Sequence, residues 1–276
     1  MRVVPLIFLL LPCLPLHSQS FEVGVYGGIS YYDGDLAPNR LELYFNTLRP
    51  AYGVFLRGNV IDWLALRGMY THMEIMGDDE LSNRTWRGVN FQTEINELSL
   101  MVEVNPFEWP LFGDRIQVLP YLLGGAAIFS FNPVTVIDGQ ELELQPIGTE
   151  GRGLLRYPEK YELTQWNLIG GGGLKIRLSD RWMLAFEGTG RITFTDDLDD
   201  VTGNTFTYED VLNGNGPQAA ELSRPTFNPD RHDPTRPYRR GGPAKDYVIT
   251  GGVTVSYLFG PDIEGTGRGD VECPTW

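Results

Sequence analysis

The sequence is poor in cysteine and histidine, the residues on which many catalytic and metal sites depend. Its 276 residues include two cysteines and three histidines. Cys13 lies in the N-terminal apolar run, so Cys273 is the only thiol left; we interpret it as a tail residue, the alternative being an intermolecular bridge. His72 and His232 have neither the neighbours of a catalytic triad nor a zinc-ligand spacing. We therefore expect no enzymatic activity and no cofactor.

Positive charge is also scarce. The formal net charge is −14, and the basic residues form no cluster. A chain of this kind lacks the charge that binds phosphate backbones or the surface of anionic lipids. The composition therefore excludes nucleic acid as an expected partner.

Long hydrophobic runs are limited to the N-terminus, where an apolar stretch follows Arg2 and ends before His17. A short charged region, a run of this length and a small-residue exit are typical of a signal peptide. We predict that residues 1–20 are removed on export. Lipidation at Cys13 is the alternative, but Leu11 and Pro12 occupy positions where a lipid-attachment site has small residues. The rest of the sequence contains no apolar run that predicts a transmembrane helix.

Alternation of apolar and polar residues dominates the chain from residue 21 to residue 259. In the segment 182–195, Trp182, Leu184 and Phe186 share one face, whereas Glu187 and Arg191 lie on the other. Period-two alternation is typical of a β-strand. A tilted strand needs about 9–11 residues to cross a bilayer, and this segment is long enough.

Eight segments follow this pattern, and an even number of strands closes an antiparallel barrel without exposed edges. We therefore predict an all-β fold, an eight-stranded antiparallel transmembrane β-barrel with the connectivity of an up-and-down meander. The predicted strands cover residues 21–32, 51–61, 63–74, 91–105, 116–131, 165–178, 182–195 and 246–259.

The connections alternate between short and long, as in barrels of the bacterial outer membrane. Long polar loops cover residues 33–50, 75–90, 132–160 and 196–245. Short turns of such barrels face the periplasm and long loops face outward. We predict a barrel domain at 21–259 with four long extracellular loops, then a flexible periplasmic tail at 260–276. The expected location is the outer membrane, with its lipid as a partner.

A soluble β-sandwich or lipocalin-like barrel is the alternative fold. Such a fold buries its apolar face, and the charged face of the late strands would then lie in solvent. The strand lengths and the aromatic residues at strand ends favour the membrane barrel. In that fold the predicted lumen holds a charge network of Glu97, Glu103, Lys175, Arg177, Glu187 and Arg191.

Because eight strands leave an interior that side chains fill, we interpret this network as structural. A permeation pathway or proton relay is the alternative. A further alternative is an enzyme at the outer rim, with His72 beside Asp78 or Asp79.

An acidic run follows the seventh predicted strand, at residues 196–200. Carboxylates suit calcium, but the spacing does not match an EF-hand loop. We interpret the run as a solvated loop, with a calcium site as the alternative.

A loop motif is the most specific of several stretches that carry a family resemblance, and it is formed by Thr195, Asp196, Asp197, Leu198, Asp199 and Asp200. Together these stretches resemble the PorG-like outer-membrane proteins associated with type IX secretion. The chain departs from the family in its long 196–245 loop and in its tail. The resemblance covers residues 27–36, 120–133, 148–151, 178–182, 186–187 with 191–201, and 240–243.

The resemblance implies a non-enzymatic barrel that is a structural, accessory component of a protein secretion apparatus. It also implies partners, the periplasmic ring or lipoprotein components that such a barrel anchors. The candidate partner surface is the turn 106–115 together with the tail. A small passive barrel or narrow pore is the alternative function.

Overall fold

The computed structural model describes residues 20–38, 45–61, 63–81, 85–106, 109–111, 116–137, 139–242 and 245–259. The predicted signal peptide and tail therefore lie outside the described residues, as does most of the turn 106–115. Numbered in chain order, the strands are β1 (Phe21–Asp33), β2 (Arg49–Ile61), β3 (Leu64–Asp78), β4 (Asn90–Val104), β5 (Trp109–Leu111), β6 (Ile116–Ile137), β7 (Gln140–Glu143), β8 (Thr164–Arg177), β9 (Trp182–Thr193), β10 (Thr205–Phe206), β11 (Tyr238–Arg239) and β12 (Tyr247–Phe259).

Eight of these strands form a closed antiparallel β-barrel, as predicted. Their order around the wall is β4, β3, β2, β1, β12, β9, β8 and β6, and the pairing of β4 with β6 closes the ring. Neighbours in the wall are neighbours along the chain, except at the seam between β1 and β12, where Phe21 lies opposite Phe259. Closure leaves no free sheet edge, which satisfies the backbone donors and acceptors of every wall strand.

The side chains of the wall obey the period-two pattern. Along β2, Tyr52, Val54 and Leu56 are exposed, whereas Phe55 and Arg57 are buried. The same alternation of exposed apolar residues with buried polar or aromatic residues continues along β4. The interior of the barrel therefore contains both apolar and charged side chains, and the outside is apolar.

The predicted boundaries differ from the structure mainly on the side of the long loops. Strand β6 continues past the predicted end at residue 131, because its outer part, from Val134 to Ile137, pairs with β7. Pro133, which lacks an amide hydrogen, lies opposite Thr93 of β4, beyond the last residue that β6 pairs with β8. The residues that signalled a loop thus continue a strand that extends beyond the barrel wall.

The long loops fold over one end of the barrel and form what we call the cap. It contains β7, β10, β11 and the helices α1 (Leu144–Ile147), α2 (Tyr208–Gly214) and α3 (Pro217–Ser223). Helix α2 begins where the Thr207 side chain accepts a hydrogen bond from the amide of Asp210 at 3.1 Å, and α3 begins with a proline. Phe206, Val211, Ala219 and Ala220 form a small core beneath these helices.

No helix of the described residues has the length and apolar character needed to cross a membrane.

Close packing of the inner wall generates a testable prediction at Gly171 of β8. A Cβ atom there would lie 2.3 Å from the carbonyl oxygen of Gly188, whereas a Cβ atom on the outward-facing Gly170 would meet nothing within 4 Å. We expect Gly171→Ala to destabilise the barrel by about 1–3 kcal/mol through overpacking. Gly170→Ala, the matched control, should change stability by less than about 0.5 kcal/mol. Urea unfolding of both variants tests this, and equal losses would contradict the inward orientation of Gly171.

Candidate functional site

Glu103 is the centre of the charge network inside the barrel. Its carboxylate, which is fully buried, accepts hydrogen bonds from Arg57 Nε at 3.0 Å and from Lys175 Nζ at 2.7 Å. Arg67 Nη1 lies 3.3 Å from the same carboxylate. A buried carboxylate is stable only when cations and donors replace its water. Three strands besides β4 contribute those cations, so the network joins distant parts of the wall.

The network extends from Glu103 to two further carboxylates. Arg57 also donates to Glu22 at 2.5 Å, and Ser256 Oγ donates to Glu22 at 2.8 Å across the seam. Arg67 donates to Glu187 at 2.5 Å, and the hydroxyl of Tyr121 donates to Glu187 at 2.6 Å. The side of Arg67 is also covered by the ring of Phe55, whose centroid lies 4.3 Å from the guanidinium carbon.

A second group of ions lies towards the cap. Arg191 Nε lies 3.0 and 2.9 Å from the two carboxylate oxygens of Glu97, and Asn167 donates to Glu97 at 2.8 Å. The other end of the guanidinium, Nη1, donates to Thr189 and Thr250 at 3.1 Å each. Each charged group in this pair therefore has additional hydrogen-bond partners.

Most of the predicted lumen residues meet inside the barrel. Glu97, Glu103, Lys175, Glu187 and Arg191 are all buried there. Arg177 is different: it is half-buried at the end of β8 and forms no ion pair with any described residue. The sequence interpretation missed Glu22, Arg57 and Arg67. The signal was available, since each of them alternates with exposed apolar residues of its own strand.

The interior has little room for water or solute. A space bounded by Met69, Ser99, Glu187 and Arg191 measures about 10 Å³, near the lower limit for holding one water molecule. Among the described residues, the ion-paired interior holds four carboxylates and four cations, so its formal charge is balanced. The balanced groups are Glu22, Glu97, Glu103 and Glu187 with Arg57, Arg67, Lys175 and Arg191.

A second buried network holds the cap together, with Arg240 at its centre. Arg240 Nε donates to Glu150 at 3.0 Å, and Nη2 donates to Thr149 Oγ1 at 2.9 Å and lies 3.3 Å from Asp200. Glu150 also accepts from the amide and the hydroxyl of Thr202, at 3.1 and 2.6 Å. Burial raises the pKa of the Glu150 carboxyl above its ordinary value, while Arg240 acts in the opposite direction.

Arg87 connects three loops in the same way. Its guanidinium donates to Asp79 at 2.7 and 2.5 Å, to the carbonyl of Arg240 at 2.7 Å and to the carbonyl of Asp35 at 3.0 Å. The Asp35 carboxylate in turn accepts from the amide of Gly242. The β1–β2, β3–β4 and β9–β12 loops are therefore fastened to one another by the buried Arg87 and Asp79 and by the half-buried Asp35.

The loop motif at residues 195–200 is not solvated, so the sequence interpretation was wrong on this point. We call residues 195–201 the mouth segment, because they fill the outer opening of the barrel. Leu198 and Val201 are completely buried, and Thr93 Oγ1 of the wall donates to the carbonyl of Leu198 at 2.7 Å. The residues that make the run look hydrophilic are paired with groups distant in sequence, such as Asp200 with Arg240.

The other acidic residues of the motif are also engaged. Thr195 Oγ1 donates to Asp197 at 2.8 Å, and Asp197 forms an ion pair with Arg152. Asp196 is half-buried; burial and the nearby charge of Asp35 raise its pKa to about 7. Within the described residues, no group of three or more histidine, cysteine, aspartate or glutamate residues is arranged to hold a metal ion. The calcium alternative therefore has no support from the geometry.

The residues of the rim-enzyme alternative do not assemble. His72 lies on the outward face of β3, where Nδ1 is 3.0 Å from Asn96 Oδ1 and the ring packs on Tyr52. Asp79 is on the other side of the wall, bound to Arg87, and Asp78 accepts from the amide of Glu80 at 2.8 Å. The arrangement offers no base, nucleophile and orienting group in contact with one another.

The geometry defines a closed eight-stranded barrel with a filled, charge-balanced interior and a folded cap. The family model described as "Domain of unknown function (DUF6089)" matches residues 1–147, slightly more than half of the chain, and the chain belongs to that family. A search of curated proteins found no match.

The solved structures that this chain matches share little sequence with it. Neisserial surface protein A is 9% identical with a TM-score of 0.43, and Ail, the attachment invasion locus protein of Yersinia pestis, is 9% identical with a TM-score of 0.38. A major outer membrane protein from Thermus thermophilus is 13% identical with a TM-score of 0.38. Each match covers 88% of this chain and 100% of the other.

The interior network predicts a large effect of Glu103→Gln. The substitution removes the anion that Arg57, Arg67 and Lys175 share in a buried site. We expect the free energy of unfolding to fall by about 3–5 kcal/mol. Arg177→Gln, which removes a half-buried charge that has no ion pair among the described residues, should cost less than about 1 kcal/mol. Urea unfolding in detergent compares the two. A loss for Glu103→Gln no larger than that for Arg177→Gln would contradict the central role of Glu103.

The cap network predicts a local effect of Arg240→Gln. We expect the cap to become sensitive to protease while the barrel wall stays folded, because the contacts of Arg240 lie outside the wall. The neighbouring Arg239, which is exposed and has no ion pair among the described residues, provides the control Arg239→Gln. Limited proteolysis followed by mass spectrometry locates the cuts. Resistance of the Arg240→Gln cap equal to that of the control would refute this role.

Proposed function

We propose that the protein is a barrel of the bacterial outer membrane that serves as a structural anchor. The observation that carries the proposal is the inverted polarity of the wall: charges inside, large apolar residues outside. On the outer face of the barrel, Leu98 and Leu122 leave 67% and 66% of their surfaces uncovered. A soluble protein does not display a continuous apolar belt of this kind, whereas lipid covers one.

Aromatic residues at both ends of the apolar belt support the same placement. At the end with the short turns, Phe21 stacks on Phe259 with ring centroids 5.1 Å apart, and Trp182 packs edge-on against Tyr257 at 5.2 Å. Trp166 packs on Phe194 towards the cap, at 4.3 Å. Aromatic rings are favoured at the two interfaces between lipid and water.

The filled interior favours an anchor over a pore. A balanced set of buried ions stabilises the wall, and the small space beside Glu187 and Arg191 offers a solute little room to bind or pass. In the described structure, the candidate catalytic residues His72, Asp78 and Asp79 are not in contact with one another. The remaining functional surfaces are the cap and the end with the short turns.

The finer proposal is that the barrel is an accessory component of a type IX-like protein secretion apparatus. The support is the PorG-like resemblance of the sequence, including the motif that builds the mouth segment. In this arrangement the periplasmic ring or lipoprotein components bind at the end with the short turns. Both chain ends of the barrel, Phe21 and Phe259, lie at that end, opposite the cap, so the 260–276 tail begins there.

Co-purification from detergent-solubilised envelopes tests the proposal. The full chain should recover periplasmic ring or lipoprotein components, identified by mass spectrometry, and a chain without residues 260–276 should recover less of them. The cap variant Arg239→Gln is the control and should recover as much as the full chain. Recovery of the full chain as a lone folded barrel would contradict the secretion role.

A further inference from the structure

Two buried carboxyl groups under the cap make more short oxygen–oxygen contacts than there are protons to donate when both are ionised. The hydroxyl of Tyr32 lies 2.6 Å from Asp199 Oδ2 and 2.8 Å from Asp246 Oδ1. All three residues are almost completely buried. A phenol has one proton, so it donates to only one of two carboxylate oxygens. The other short contact between oxygens needs a proton of its own.

The second oxygen of each carboxyl group is already used. Asp199 Oδ1 accepts from the amide of Val201 at 2.9 Å, and Asp246 Oδ2 accepts from the amide of Leu198 at 3.0 Å. A protonated carboxyl group fits these contacts, because its carbonyl oxygen accepts from the amide and its hydroxyl donates to the oxygen of Tyr32. Tyr32 then donates to the other, ionised carboxylate. With one added proton, every hydrogen bond of the group has a donor.

The surroundings favour that proton. Neither carboxylate forms an ion pair with any cation of the described residues. The charged groups that face the pair are Asp35 and Asp196; Lys245 acts on Asp196, and Arg152 is paired with Asp197. Burial and the mutual repulsion of acids raise the pKa of both Asp199 and Asp246 above the ordinary value of 3.8.

We propose that Asp199 and Asp246 form a proton-binding pair that fastens the mouth segment to the barrel through Tyr32. One proton is shared by the pair, and its loss places two adjacent anions around a single donor. The amides of Leu198 and Val201 belong to the mouth segment, so repulsion between the carboxylates loosens that segment. The stability of the closed barrel mouth therefore depends on pH.

The sign of the pH dependence follows from linkage. At pH values between the ordinary aspartate pKa and the raised pKa of the pair, the closed cap holds a proton that the opened cap releases. Stability of the closed cap is greatest at low pH and falls as the pH rises through this window. The opening constant should increase by roughly tenfold per pH unit there.

Asparagine substitutions distinguish a proton-binding pair from ordinary packing. An asparagine amide reproduces the protonated carboxyl group: its oxygen accepts from the backbone amide and its nitrogen donates to Tyr32. Either Asp199→Asn or Asp246→Asn should therefore keep the mouth segment closed without needing a proton. The double variant places two donors against Tyr32 and leaves the phenol proton without an acceptor, so it should open the segment.

The experiment is hydrogen exchange at the amides of Leu198 and Val201 in the full chain, corrected for intrinsic exchange, from about pH 5 to about pH 9. Amides of β4 report separately whether the wall stays folded. We expect opening that increases with pH in the original chain and in Asp230→Asn, an exposed control on the same loop. Each single variant should lose most of this increase, because only the titration of Asp196 remains in the segment, and the double variant should be open throughout.

Two results would overturn the proposal. One is protection of the original chain that does not change with pH. The other is opening of both single variants at acidic pH to the extent seen in the double variant. Infrared spectroscopy supplies a second measurement that does not depend on cap opening: the band of protonated carboxyl groups should be weaker by one group in either single variant than in the original chain, with the remainder coming from acids such as Asp196 and Glu150.

Discussion

Compensation of buried charge is the constraint on which this structure depends. A barrel wall that turns its apolar residues outward must turn its polar residues inward, and an isolated ion in that interior is destabilised by several kcal/mol. Glu103 meets the constraint with three cations from three other strands. The partners meet only when every strand has its observed register, since a shift of one residue moves an inward side chain to the outer face. The ion network therefore specifies the register as well as stabilising the wall.

The cap repeats this arrangement outside the wall. Arg240 and Arg87 are fully buried cations that hold carboxylates and carbonyl oxygens of several loops. The two networks are connected through a continuous apolar cluster that includes Phe55 and Met69 of the wall and Leu198 and Leu222 of the cap. The long loops thus become one ordered layer, with the mouth segment as the part that enters the barrel.

The strands of the wall could be predicted from the sequence, because the alternation of residues along a strand shows which side chains face inward. Residues two apart share a face, so the inward positions of Glu97, Glu103, Lys175, Glu187 and Arg191 follow from the pattern alone. The prediction missed Arg57 and Arg67, whose strands alternate less clearly in sequence than the late strands do. It also ended β6 too early, because Asn132 and Pro133 are loop formers and the pairing with β7 is not visible in composition.

The structure of the cap could not be predicted from local sequence patterns, because its ion pairs join residues that are far apart in the chain. Asp200 and Arg240 are 40 residues apart, and Arg152 and Asp197 are 45 apart. An acidic run is solvated unless cations from distant parts of the chain pair with it. The sequence of the run does not indicate whether such cations are present. The PorG-like motif is likewise far in sequence from its partners. Asp197 is paired with Arg152 in the α1–β8 connection, and Asp200 is paired with Arg240 next to β11.

The central claim is a wall with lipid outside and ions inside. The most direct measurement is the accessibility of nitroxide labels placed one at a time at residues 97–102 of β4, in a chain with Cys273→Ser, reconstituted in lipid vesicles. We predict contact with dissolved oxygen, which concentrates in the bilayer, at Leu98, Leu100 and Val102, and little at Glu97, Ser99 and Met101. High accessibility of the outward positions to a water-soluble reagent instead would contradict the membrane barrel.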